Sequence, residues 1–351
     1  MRRIAKKLAA WYRINARDLP WRQTRDPYAV WISEIMLQQT QVKTVIPYFE
    51  RWMRTLPTVE AFARAPLAKI LKLWEGLGYY NRVRNAQAAA RQIVRHHAGR
   101  FPEAFDDVLA LPGVGRYTAG AICSIAFNQP APVLDGNVIR VLSRLFGIAG
   151  DPRGKSVNTK LWNLARALVS LRGVEPSQLN QALMELGALI CLPRRPKCAL
   201  CPACRECFAR RENRVGDFPA PARRTPARRR RFIAFIARRR GRIFVRRRPG
   251  GGVNAGLWEF PNIEIPVKTR NLASKAAPFS IGRGGPFFRV RHTITRSRIL
   301  LEAFRANLPV SQEPPGAWKS MAEARQLAFT SAHRKVLEAL CRLQTRKKDE
   351  G

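Results

Sequence analysis

The chain has 351 residues, 46% of them hydrophobic, with 64 Lys and Arg against 24 Asp and Glu, a formal charge of +40. That length suits two domains and that apolar fraction suffices for packed cores, which excludes a disordered chain. The charge calls for a polyanionic partner held by contacts that weaken as salt rises, and no stretch reaches the roughly 18 apolar residues of a membrane-spanning helix.

The opening MRRIAKKLAAWYRI is basic and amphipathic, and Ile4, Leu8, Trp11 and Tyr12 on one side make it a first helix rather than a targeting segment. Leu19-Pro20-Trp21-Arg22 breaks it, and Asp26-Pro27 suits the start of the next. Residues 30–48 then predict one long helix with Glu34, Gln38 and Gln41 sharing a face. A carboxylate on a helix is ordinarily solvated. Trp31, Ile32, Ile35 and Met36 around Glu34 leave open a second reading, a partly buried acid whose raised pKa would make it a proton donor.

Helices follow over 58–64, 66–75 and 81–97. The Gly-rich loop before the last carries Tyr79 and Tyr80, rings that either stack on bases or pack against a helix. Leu111-Pro112-Gly113-Val114-Gly115 predicts a tight hairpin opening a small, apolar helix over 116–127. Unpaired N–H groups at such a start suit a phosphate. Asp135-Gly136-Asn137 leads into a helix over 138–146, and two more helices span 155–170 and 176–190.

Of seven cysteines, five fall between Cys191 and Cys207, which argues for metal binding rather than disulfides. The spacing is Cys191-x6-Cys198-x2-Cys201-x5-Cys207, with Cys204 inside the last interval. Ligand count alone leaves zinc and an iron–sulfur cluster both open. Arg194, Arg195, Lys197 and Arg205 make the loop basic.

Composition turns to Arg, Pro and Ala over 210–231, a linker signature. Strands then replace helices: 232–237 and 242–246 around a turn at Arg239-Arg240-Gly241, and a strand pair over 289–304 in which Ile299, Leu301 and Ala303 alternate. A helix over 331–343 closes a small α+β second domain.

Taken together, LPWR, VWISEIMLQQTQVKTVIPYFERW, LWEGLGYYNRVRNA, LPGVGRYTAGAI, VLDGNVIRVLSR, NQALMELGALIC and the cysteine loop resemble adenine DNA glycosylases of the MutY type, in the endonuclease III superfamily, over residues 10–210. GLWEFP and RHTIT resemble that family's Nudix-like C-terminal domain. The resemblance implies a multi-domain α and α+β protein. An all-helical glycosylase domain, 1–209, holds a helix-hairpin-helix near 111–122 and a [4Fe–4S] loop at 191–207. A basic linker, 210–231, and a Nudix-like α+β domain, 232–345, which recognises the base opposite adenine, follow.

It also implies a monofunctional enzyme of base excision repair. Such an enzyme flips adenine mispaired with 8-oxoguanine or guanine out of double-stranded DNA and hydrolyses its N-glycosidic bond. By the same resemblance Glu34 is the acid and Asp135 the carboxylate that stabilises the sugar cation. Asn137 hydrogen-bonds these carboxylates and Tyr117 orients both. Relatives that cut the backbone carry Lys where Tyr117 stands, so no Schiff base is expected. Gln38 and Gln39 meet the lesion, with Gln39 filling the gap in the stack. Tyr79 wedges beside the opposing base, Trp21 and Arg22 line the adenine pocket, and Gly113 and Gly115 grip a phosphate. Cys191, Cys198, Cys201 and Cys207 hold the [4Fe–4S] cluster.

The family's Phe-Ser-His tip for reading 8-oxoguanine becomes Ile294-Thr295-Arg296. Thr295 keeps a hydroxyl but the His is replaced by Arg, which questions the preference for 8-oxoguanine. The expectation is a monomer in a bacterial cytoplasm, on the nucleoid, with no membrane role. Three other readings were weighed. A nucleotide pyrophosphate hydrolase lacks its acidic metal-binding signature, since NIEIPVKTRN follows Pro261. An endonuclease III-like enzyme for damaged pyrimidines is disfavoured by Tyr117. An inactive lesion-binding protein is disfavoured by the intact Glu34 and Asp135.

Overall fold

The computed structural model describes residues 1–220, 226–267, 277–282, 284–294 and 296–349. The chain forms two units, Met1–Ala65 with Arg82–Arg223, and Pro66–Asn81 with Arg224–Gly351. The expected boundary near 210 therefore needs correction in one respect: residues 66–81 fall with the second unit. Within that unit the Glu75 carboxylate accepts from Arg334 at 2.7 and 2.8 Å and from the Phe329 amide, while the Lys72 ammonium donates to the carbonyls of Arg325 and Leu327.

The first unit is helical. Its elements are α1 (Arg2–Asn15), α2 (Pro27–Leu37), α3 (Val42–Thr55) and α4 (Val59–Arg64); α5 (Leu67–Leu73) lies in the other unit. Then come α6 (Asn81–His96), α7 (Phe105–Leu109), α8 (Arg116–Ile125), α9 (Gly136–Phe146), α10 (Lys155–Val169), α11 (Pro176–Leu189) and α12 (Phe208–Arg211). Ile4, Leu8 and Tyr12 of α1 pack with Val138, Val141, Leu142 and Leu145 of α9 and Leu179, Leu183 and Leu186 of α11, each set at helical spacing. α9 is capped by the side chain of Asp135 and ends at Gly147 in the left-handed conformation (φ +66°).

The long helix expected over 30–48 is broken. α2 ends at Leu37 and α3 begins after Gln41, with Gln39 left-handed at φ +58°. The Arg82 guanidinium causes a stop that no local residue announces. It donates to the carbonyls of Ile35 at 2.5 Å and Gln38 at 2.7 Å, groups that the end of a helix leaves without amide partners. Glu34, Gln38 and Gln41 thus do not share one helical face.

The linker expected over 210–231 is also shorter than its composition suggests. α12 covers Phe208–Arg211, and buried Phe218 packs edge-on against Phe208, its carbonyl accepting from Arg144 at 2.9 Å. The first strand, β1 (Arg228–Arg239), starts inside the expected linker.

In the second unit β1 pairs with β2 (Arg242–Arg247) through a turn in which Arg240 and Gly241 both have positive φ. The described strands continue as β3 (Trp258–Glu259), β4 (Asn262–Ile265), β5 (Ser280–Ile281), β6 (Phe288–Ile294), β7 (Ser297–Asn307) and β8 (Ala317–Lys319). Their order is β3-β2-β1-β7-β5, with β4 on β1, β6 on β7 and β8 on β2; only the β1–β7 pair is parallel among these. Helices α13 (Met321–Gln326) and α14 (Ser331–Asp349) follow, and Val336, Leu337 and Leu340 cover one face through Ile236, Val290 and Leu301. Phe235, Phe244, Phe279 and Phe304 fill the other face. Glu302 and Phe304 are therefore buried along with Leu301 and Ala303, and the alternation predicted for β7 fades at its centre.

Replacing Arg82 by Met leaves the end of α2 without its donor. The expected loss is about 1–3 kcal/mol of stability in denaturant titration, the scale for stranded buried polar groups. An unchanged midpoint would mean that the break at 38–41 is held otherwise.

Candidate active site

A cleft of about 610 Å³ opens in the first unit, within the roughly 300–1,000 Å³ of ordinary ligand pockets. Its walls come from the segment before α2, from α2 and its C-terminal break, from α8, from the start of α9 and from one face of α11. Trp21, Arg22, Glu34, Gln38, Gln39, Tyr117, Asp135 and Asn137, separated by over a hundred residues, all line it. Gly113, Gly115, Tyr79 and the cysteines are not part of that lining.

Glu34 lies on α2 and is 6% exposed. Burial, reinforced by the charge of Asp135, pushes its carboxyl up to about 7, while the Tyr117 hydrogen bond and Arg22 pull the other way. The Tyr117 hydroxyl donates to Glu34 Oε2 at 2.6 Å, and burial carries that phenol well above its ordinary range. Tyr117 reaches Glu34 by this hydrogen bond and Asp135 only through electrostatic proximity.

Asp135 is better solvated by the protein. Its Oδ1 accepts from the Val138 amide at 2.7 Å, the cap of α9, and its Oδ2 from Asn137 Nδ2 at 3.1 Å. Burial raises its pKa and these bonds oppose the rise. One carboxyl thus favours holding a proton, while the other has donors for its anion. Asn137 bonds Asp135 and Arg140. From α9, Arg140 donates at 2.8 Å to Asn137 Oδ1, and at 2.7 Å to the carbonyls of Gly187 and Cys191. The segment bearing Asp135 passes between helices at two glycines. A Cβ on Gly120 of α8 would lie 2.1 Å from the Pro132 carbonyl, and one on Gly187 of α11 would lie 2.6 Å from Asn137 Cβ.

Arg22 donates to Glu185 Oε1 and Oε2 at 3.1 and 2.9 Å, and Trp21 meets Phe49 edge-on with centroids 5.5 Å apart. Glu185 also binds Arg17 in a two-pronged pair. Burial would raise the Glu185 carboxyl, but these arginines hold it near about 2, an anion fixed in the cleft wall. The sequence reading passed over Arg17, Gln181, Met184 and Glu185, all lining the cleft. The last three lie at i, i+3 and i+4 of NQALMELG, on one helical face, the signal that could have found them.

The hairpin leads from α7 to α8 as expected. Gly113 is left-handed (φ +77°), and a Cβ there would strike Asn85 at 2.6 Å. Gly115 caps α8 with open space where its Cβ would be. Tyr79 lies in the second unit, 43% exposed and left-handed at φ +46°. Thr295 lies outside the described residues. Of the tip, Ile294 pairs with Ser297 and the Arg296 carbonyl accepts from the Arg228 amide. Elsewhere in the second unit, buried Glu259 is engaged by Arg246 and Arg248.

A separate cavity is lined by Cys191, Cys198, Cys201, Cys204 and Cys207 with Val141, Leu145, Leu186 and Ile190. Among the described residues no three His, Cys, Asp or Glu side chains converge as ligands of a single ion would. The thiols instead surround a space with apolar walls. Arg144 Nη1 lies 3.4 Å from Cys191 Sγ and also donates to the Leu192 carbonyl, tying the loop to α9. No described helix is long and apolar enough to cross a membrane.

The pattern of the HhH-GPD superfamily base excision DNA repair proteins matches residues 32–167, and that of the NUDIX domain matches 233–339. An adenine DNA glycosylase of Rattus norvegicus is 36% identical over 398 residues, spanning 94% of this chain and 76% of the relative. The chain belongs to the adenine DNA glycosylase family. Its Homo sapiens member is also 36% identical, over 94% of this chain and 72% of its own. Among solved structures, a thermostable thymine-DNA glycosylase matches with a TM-score of 0.54 at 32% identity, covering 59% of this chain and 95% of its own. That covered share fits a helical glycosylase domain carrying a second, Nudix-like domain.

In this member of the adenine DNA glycosylase family, Tyr117→Phe removes the phenol hydrogen bond that stabilises Glu34's anion and holds its pKa down. The expected result is a carboxyl midpoint above about 7 in a carbon-13 NMR titration of labelled glutamate. A midpoint that falls would show that the phenol does not stabilise the ionised acid.

Proposed function

We propose that this protein removes adenine from mispairs in duplex DNA by acid-assisted hydrolysis of the N-glycosidic bond, the opening step of base excision repair. The observation that carries the reading is the pair Glu34 and Asp135 in one cleft, with unlike surroundings. Adenine leaves poorly until protonated. Glu34, whose pKa is pushed to about 7, holds a proton for the base at neutral pH. As the bond opens, positive charge grows on the sugar. Asp135, with donors for its anion, faces that charge and can bond the sugar transiently before water attacks.

Tyr117 bonds Glu34 and carries no amine, so the reading is monofunctional, without Schiff-base strand cleavage. An adenine must leave the stack to enter the cleft, at a cost of a few kcal/mol. Gln39, held left-handed at the rim, would occupy the gap, with Gln38 beside it. Trp21 and Arg22 would bound the base and Gly113 and Gly115 the backbone, while Tyr79 would meet the partner strand. The charge of +40 supports a DNA partner.

The partner base is 8-oxoguanine or guanine, read by the Thr295 hydroxyl with Arg296 in place of the family's His. The protein is taken as a monomer acting on the nucleoid in a bacterial cytoplasm. Cys191, Cys198, Cys201 and Cys207 would hold a [4Fe–4S] cluster, supported by five cysteines lining one cavity with Val141, Leu145, Leu186 and Ile190. When bound, that group supplies a rigid tie for the basic loop. Arg140 and Arg144 connect this loop to α9 and so to Asn137.

The deciding experiment incubates the protein with duplexes holding one A:8-oxoguanine, A:G or A:C pair. Adenine release from A:8-oxoguanine and A:G, with strand scission only after alkali, is expected; scission without alkali or action on damaged pyrimidines would overturn the reading. Glu34→Gln should abolish release while mispair binding persists, and retained turnover would remove Glu34 from its role.

A further inference from the structure

Four ligands suffice for the cluster, yet five cysteines line its cavity. The additional thiol, Cys204, sits in a regular backbone register. The Cys201 amide donates to the Cys198 carbonyl at 3.2 Å, the Cys204 amide to Cys201 at 3.1 Å and the Cys207 amide to Cys204 at 3.4 Å. The 3₁₀ turn Cys198–Leu200 ends at Cys201, whose backbone is extended, and separate three-residue turns then carry the chain on to Cys207. Cys204 is thus one turn from Cys201 and one turn from Cys207, and all of them line the same cavity. Cys191 stands apart, at the end of α11.

Resting on the cluster reading above, we propose that Cys204 is a reserve ligand that takes the place of Cys207 when that thiolate is lost. Moving the last ligand inward by one turn leaves Cys191, Cys198 and Cys201 where they are. The Cys204 thiol gives its proton to solvent and its thiolate bonds the vacated iron position. The departing Cys207 thiolate, where still present, takes up a proton, so no electron changes hands. Cys191 has no other cysteine within a turn of it, and its loss should not be rescued.

The test measures iron and acid-labile sulfide per chain, with visible absorbance, in full-length Cys204→Ala, Cys207→Ala, Cys191→Ala and the Cys204→Ala/Cys207→Ala double variant. Alanine supplies no oxygen ligand in place of sulfur. Cys204→Ala should load like the wild type, Cys207→Ala should keep most of its iron, and the double variant and Cys191→Ala should hold several-fold less. Equal loading of Cys207→Ala and the double variant, whether high or low, overturns the proposal. If Cys207→Ala does not fold, iron loss to a chelator under air decides. Faster loss from Cys204→Ala than from the wild type supports the reserve role, and equal rates overturn it. A wild-type protein without iron and sulfide removes the cluster reading itself, a failure distinct from those of the variants.

Discussion

The Tyr117–Glu34 hydrogen bond, buried beside Asp135, is the contact on which the functional geometry depends. Two ionised carboxylates sharing one cleft repel each other, and burial penalises both. The structure meets this by unequal treatment. Asp135 caps a helix and takes a further bond from Asn137, so its anion is supported; Glu34 accepts from one phenol, with Arg22 helping only through its charge. The proton therefore rests more readily on Glu34. This division of roles follows from where the backbone of α9 begins and from the close packing that Gly120 and Gly187 permit around the Asp135 segment.

The same helix joins the cleft to the cysteine loop. Asp135 caps α9, Asn137 lies in its first turn, and Arg140 and Arg144 project from its next turns to carbonyls near Cys191. A change in the loop can thus reach the Asp135–Asn137 pair through one rigid element. Arg144 also fixes Phe218, which explains why the chain remains folded several residues beyond α12.

Much of this was legible along the chain because the signals are local. The Leu-Pro-Gly-Val-Gly hairpin, the helix entry at Asp135-Gly136-Asn137 and the crowded cysteines each owe their form to residues within a few positions. The break at 38–41 was not, because Arg82 from α6 imposes it on a segment whose own pattern continues helically. Glu185 was missed for a related reason: its charge is held by Arg17 and Arg22, far away in sequence, and only tertiary packing turns its face toward the cleft. The burial of Glu302 in β7 depends likewise on Arg231 and Arg289 from neighbouring strands, which no periodicity in β7 records. Placement of α5 with the second unit rests on Glu75 meeting Arg334, a pairing across more than two hundred residues.

The most direct measurement of the central claim is the pH dependence of adenine release under single-turnover conditions. Glu34 acts protonated, so the rate should fall as pH rises through about 7, by about tenfold per pH unit well above it. At the acid end the rate should fall again as Asp135 takes up a proton, at a pH above the ordinary aspartate range. A rate that stays level or climbs from neutral into alkaline pH would contradict a proton held by Glu34 for the departing base.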